Sequence, residues 1–82
     1  MIFQGKSSFT SDPIQNVFLR DIYFTVTGPA EVKIELLEED GVWRSFPETT
    51  ISGTSAVVIA IKAGFFRVVI GEGEATTVTV AL

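Results

Sequence analysis

The side chains with which this chain could do chemistry are few and widely spaced. Its single tryptophan, Trp43, stands between Val42 and Arg44 in the stretch EEDGVWRSFPETT (residues 38–50), just after the acidic triplet Glu38, Glu39 and Asp40. Glu48, Glu72 and Glu74 lie near turn residues, and Arg67 interrupts an otherwise apolar run. There is no histidine and no cysteine. The chain therefore lacks the side chain that shuttles protons near neutral pH, every nucleophile arrangement built on histidine, and the usual ligands of a structural zinc. A hydrolase working with paired carboxylates needs two acids held about 5 to 10 Å apart in a cleft. Glu48 with Glu72 or Glu74 is the pair to consider, but so small a chain leaves little volume for such a pocket. The glycines of GEGEA (71–75) are turn glycines, because no lysine stands there and no helix is predicted to follow and cradle a phosphate. The expectation is a protein with no catalytic residues, no cofactor and no metal.

Binding chemistry is nearly as restricted. Six basic residues against ten acidic ones give a net charge of −4. The basic residues are scattered singly, whereas phosphate backbones are gripped by clustered Lys and Arg, so no nucleic acid is expected as a partner. The acidic triplet lacks the spaced oxygen ligands of a calcium loop and is expected to be a solvated turn. Trp43 admits two roles. If a strand over 31–38 turns through residues 39–41, Val42 and Arg44 project to one side and Trp43 and Ser45 to the other. An exposed Trp43 beside Arg44 and Tyr23 would make a sugar-stacking or protein-docking platform. A buried one would plug the core or a subunit boundary, and its large area makes that the favoured role in a thin core.

The elements that must position these residues follow from size and periodicity. A chain of 82 residues and 8.9 kDa is one domain. By surface scaling it should expose about 4,800 Å² folded against about 12,900 Å² unfolded, burying about 63%. That margin is thin, and no disulfide or metal supplements it. Yet 46% of residues are apolar and the mean hydropathy is +0.41, more than a solitary domain this small can bury. The longest apolar tract, AVVIAIKAGFFRVVI (56–70), is broken by Lys62, Gly64 and Arg67. A spanning helix needs about 20 largely uninterrupted apolar residues, so no membrane is expected. The N-terminal MIFQGKSSFTSDP lacks the apolar run and cleavage site of a signal peptide, and the absence of cysteine fits cytosolic synthesis.

The apolar period is two throughout. EVKIELLE (31–38) sets Val32, Ile34 and Leu36 against Glu31, Lys33 and Glu35. DIYFTVT (21–27) and ATTVTVAL (75–82) alternate in the same way. SAVVIAI (55–61) and FFRVVI (65–70) are apolar at nearly every position and read as strands covered on both faces. IQNVFL (14–19) is a weaker strand signal. Turn residues fall between these runs at Gly28-Pro29, Asp40-Gly41, Gly53, Gly64 and Gly71–Gly73. The fold class expected is all-β: a compact antiparallel β-sandwich of six or seven short strands over residues 14–82, without helix. Residues 1–13 read as an extended N-terminal arm whose anchors Ile2, Phe3 and Phe9 order only when a partner supplies a surface.

The succession VTGPAEVKIELLEEDGVWRSFPETT, a β-rich run, then AGFFRVVIGEGEATTVTVAL resembles small virion proteins of tailed bacteriophages. Those read as a VTG strand, a V-x-[IL]-x strand, a DG-x-W hairpin, an aromatic-R-[VL] strand and a final Gly- and Thr-rich strand. The similarity covers residues 25–82, with Gly28, Asp40, Gly41, Trp43, Phe66 and Arg67 at the matching positions as framework residues. It implies a structural protein of the virion, made in the host cytoplasm. Its role would be capsid decoration or cement, with tail or fibre adaptor as the alternative, and its partners other virion proteins and copies of itself. An acidic, cysteine-free sandwich with surplus apolar surface fits a homo-oligomer on physical grounds, since association buries that surplus. The competing expectation is a soluble carbohydrate- or receptor-binding module in which Tyr23 and Trp43 touch ligand. The candidate interface residues are Ile2, Phe3, Phe9, Tyr23, Trp43, Arg44 and Arg67. Arg67, inside an apolar strand, must pair with an acid or reach a subunit boundary.

Overall fold

A computed structural model describes residues 1–82. The chain runs through β1 (Ile2–Lys6), β2 (Phe9–Thr10), β3 (Ile14–Asn16), β4 (Arg20–Thr27), β5 (Glu31–Leu37) and β6 (Trp43–Arg44). A single 3-10 turn (Pro47–Thr49) leads into β7 (Thr50–Ser52), β8 (Ser55–Ile61), β9 (Gly64–Ile70) and β10 (Thr76–Ala81). These form two antiparallel sheets. One has the order β1-β10-β4-β8, and the other β2-β9-β5-β6, with β3 also on β9 and β7 also on β5.

The alternation read from sequence is what buries the core. Ile22, Phe24 and Val26 of β4 and Val78 and Val80 of β10 face Val32, Ile34 and Leu36 of β5 and Phe66, Val68 and Ile70 of β9. The rings of Phe24 and Phe66 meet edge-to-face across the two layers, 6.2 Å between centroids. Exposed surface is 4684 Å², close to the about 4,800 Å² that scaling allots to a folded chain of this mass. The all-β antiparallel sandwich is thus the architecture.

Three local expectations are corrected. β8 and β9 are buried on one face only: there is no third layer, so Val58 and Phe65 lie exposed on the outside. The run 14–19 is a strand only through Asn16, and residues 17–19 leave the sheet. The N-terminal segment is not an arm waiting for a partner. β1 pairs with β10, β2 pairs with β9, and the chain crosses from one sheet to the other between them. Phe3 and Phe9 pack against the core with ring centroids 5.6 Å apart. The partner surface they need is intramolecular: β10 and the end of β9 at Val69 and Ile70 would otherwise be open edges, and the two rings close one open side of the sandwich. The radius of gyration, 11.7 Å, equals the about 11.7 Å expected for one compact 82-residue unit. These short segments raise the strand count above the six or seven expected.

Candidate interaction surfaces

The connection between β3 and β4 carries three consecutive large apolar residues pointing into solvent. Val17, Phe18 and Leu19 are 76%, 60% and 68% exposed. The base of this tip is fixed by a buried side chain. Asn16 donates from Nδ2 to the carbonyls of Ile61 and Lys62, both at 2.9 Å, which ties it to the β8–β9 turn. Its Oδ1 accepts from Nε of Arg20 at 2.9 Å, and the Arg20 guanidinium in turn lies 5.6 Å from the Phe18 ring centroid. One buried amide therefore satisfies two turn carbonyls and holds the arginine beside Phe18, so the tip is displayed from a fixed base.

The second surface is the outer face of the four-stranded sheet. The registers place Ala81, Tyr23 and Val58 in one cross-strand row, and Ile2, Thr79, Thr25 and Ala56 in the next. Tyr23 is 48% and Val58 59% exposed. Asp21, opposite Ala60, is the charged residue of β4 and β8 on this face. Small side chains, β-branched threonines and one ring give an almost uncharged plate without large protrusions.

On the outer face of the other sheet Trp43 stands opposite Leu37 of β5, and Phe65 of β9 stands opposite Gln15 of β3. Arg67 binds Glu35 Oε1 through Nε at 2.7 Å and lays its guanidinium 4.3 Å from the Trp43 ring centroid. Trp43 is consequently half-buried beneath an arginine, neither a plug between the sheets nor an open platform. The strand carrying Arg67 has one wet face, and the arginine lies there with an acid partner, which meets its need for a counter-charge. Arg44 is spent on the turn: it donates to both carboxylate oxygens of Asp40 at 3.0 and 2.8 Å, while Asp40 Oδ1 also accepts from the Val42 amide. These bonds hold the Asp40 carboxyl below its ordinary range, Arg44 being the main cause and Val42 the next. Glu38 pairs with Lys62. Two carboxylates of the acidic triplet are thus already engaged by basic side chains.

Two grooves mark the open sides of the sandwich. One, about 330 Å³, lies beside Phe3, Phe9, Pro13 and Ile14. The other, about 310 Å³, lies between β8 and the 3-10 turn, walled by Val58, Ile59, Ala60, Leu36, Phe46 and Thr49, with Glu48 at it. Glu72 and Glu74 line neither groove, so the carboxylates considered for acid–base work do not converge in one. Of the residues singled out from sequence, Phe3 and Phe9 are core-packed, Arg44 is a turn clamp, Trp43 and Arg67 form one cluster, and Ile2 and Tyr23 share the plate. Val17, Phe18, Leu19 and Val58 were missed. The signal for the tip was legible: NVFLR breaks the period of two by placing three bulky apolar residues in a row after an amide.

Comparison of the chain with protein-family models, curated proteins and solved structures finds no match.

Proposed function

We propose that this chain is a non-enzymatic structural protein working through protein–protein contacts, a component of a tailed-bacteriophage particle of the kind its sequence resembles. Capsid decoration or cement is the role that best fits a small rigid plate with a projecting apolar tip, and a tail or fibre adaptor is the variant. Its partners would be other virion proteins and copies of itself.

The observation that carries this reading is the Val17–Leu19 tip. Three adjacent exposed apolar side chains gain nothing in water, and such runs belong to binding surfaces. Buried in a partner's groove, each would contribute about 1.5 to 3 kcal/mol. Because Asn16 and Arg20 already hold the base of the loop, little ordering cost is left for association. The soluble carbohydrate-binding alternative draws less support, since the Arg67 guanidinium already occupies the space over the Trp43 ring that a sugar would stack on. The test is to purify particles from the source of the sequence and look for the chain by mass spectrometry, then repeat with Phe18→Ser. The chain is expected in the particles, with Phe18→Ser folded but lost from them. Particles that lack the wild-type chain, or retain Phe18→Ser at full occupancy, refute the proposal.

A further inference from the structure

A sheet has two edges, and a free strand edge presents unpaired amides and carbonyls to any passing strand. Three of the four edges here are blunted. β1 is interrupted by a register shift between Phe3 and Lys6, where Gly5 has φ +61°, and it ends in a lysine. β2 and β3 are short pieces separated by a segment containing Pro13. β6 and β7 are short pieces separated by the Pro47–Thr49 turn. β8 has no such device. It is seven residues long, pairs with β4 on one side alone, and reads SAVVIAI, with no charge, proline or glycine.

We infer that β8 pairs antiparallel with β8 of a second copy of this chain, joining two four-stranded sheets into one continuous eight-stranded sheet about a two-fold axis at Val58. The inference rests on the reading of the chain as an assembling protein and names its self-contact. Four features choose a second copy as the occupant. The strand is its own complement: about an axis at Val58, Ala56 falls opposite Ala60 and Val57 opposite Ile59, so outward residues meet outward and inward meet inward. Shifting the register by one residue would set inward side chains against outward ones, and larger shifts pair fewer residues. Two chains of net charge −4 repel broadly, yet β8 carries no charged side chain to oppose its own copy across the ladder. The groove along β8 is walled by Leu36 and Phe46, so inward side chains of an added strand would cover apolar surface as well as satisfy the backbone. The contact is isologous and closes on itself as a dimer.

The absence of native cysteine makes the register directly testable. Directly opposed residues place their Cβ atoms about 4.5 to 5.5 Å apart, near the span of a disulfide. Val58→Cys should therefore cross-link to itself under mild oxidation. Ala56→Cys and Ala60→Cys, each about 13 Å from its own symmetry mate along the strand, should link slowly alone and readily when mixed one to one. In sedimentation at matched concentration the wild type should be dimeric, Val58→Lys and Val58→Glu each monomeric with unchanged circular dichroism, and their mixture dimeric again. A monomeric wild type, or cross-linking at equal rates at all three positions, overturns the inference. Particle binding that survives such a result would leave the tip proposal standing. Conversely, a dimer with this register in a chain absent from particles would leave the edge pairing standing alone.

Discussion

Replacing Asn16 with alanine should be among the most damaging single changes outside the apolar core. The side chain is almost wholly buried, and two of its three hydrogen bonds reach across the fold to the β8–β9 turn while the third joins Arg20 four residues on. Loss of the amide strands the Ile61 carbonyl in a buried position, which costs about 1 to 3 kcal/mol. The Lys62 carbonyl and Arg20 guanidinium are partly exposed and can turn to water, so they add only about 0.5 kcal/mol each. The sum, about 2 to 4 kcal/mol, stands against a total stability of about 4 to 12 kcal/mol for a domain of this size. At about 4 to 8 °C per kcal/mol, Tm should fall by about 8 to 30 °C. The backbone of Val17, Phe18 and Leu19 should gain ps–ns motion, read as lower NMR order parameters, because the base of the tip is gone. Asn16→Asp keeps the acceptor for Arg20 but turns an oxygen toward two carbonyls, and is expected to be no better than alanine. Gln15→Ala, one residue away and exposed, should stay within about 0.5 kcal/mol of wild type. If Asn16→Ala unfolds as late as Gln15→Ala, the amide is not what holds the tip and the pre-organisation argument fails.

Gly28 has φ +133°, and a Cβ there would sit 2.6 Å from Thr76 Oγ1 and 2.8 Å from Thr76 Cα; Gly28→Ala should cost at least about 2 kcal/mol in denaturant unfolding. Deleting residues 1–10 removes β1, β2 and the partly buried Phe3 and Phe9 rings, at most about 3 to 6 kcal/mol of apolar burial, so the truncated chain should lose cooperative unfolding and NMR dispersion; an unchanged Tm would show the segment to be dispensable. The Asp40 carboxyl is depressed below its usual value by Arg44 and then Val42, so the turn it closes is favoured above the ordinary Asp range and released as pH falls through the lower folded value. The Val42 amide resonance should therefore titrate below about pH 3.9, and a midpoint at or above that value contradicts the Arg44 clamp.

The sandwich was legible because its signal is local: a period of two in β4, β5 and β10 fixes which face is dry whatever the neighbours. β8 and β9 misled for the same reason. A strand apolar on both faces reads as doubly covered, and only the number of layers reveals that Val58 and Phe65 are left in water. The N-terminal segment was misread because its period is broken by Gly5 and Ser7-Ser8, residues that lower propensity but allow the chain to cross between sheets. Trp43 could not be placed from sequence since its environment depends on Arg67, twenty-four residues away and two strands over. The tip was visible as three adjacent apolar residues, whereas its anchoring by Asn16 to the β8–β9 turn is a contact across 45 residues that no local pattern encodes.

The tip and the β8 edge, taken together, specify a geometry. The tip is tied by Asn16 to Ile61 and Lys62, at the end of β8 away from its start at Ser55. Antiparallel pairing about Val58 places Lys62 of one copy level with residue 54 of the other, so the two anchor points lie eight residues apart along the strand direction, about 27 Å. Because the two-fold reverses the strands, the tips stand at opposite ends of the joined sheet. A dimer so built cannot press both tips into one groove. Such a dimer would span two neighbouring copies of a partner, which is what the proposed cement role requires. Two linked sites also bind a repeating lattice far more tightly than one, through effective concentration and without any new contact. Val58→Lys should accordingly retain the binding of a single tip to an isolated partner subunit and lose tight retention on the assembled particle, by a factor of about 10² or more in dissociation rate. Phe18→Ser should lose both. If Val58→Lys leaves the particle no faster than wild type, the two copies do not bridge, and each tip acts alone.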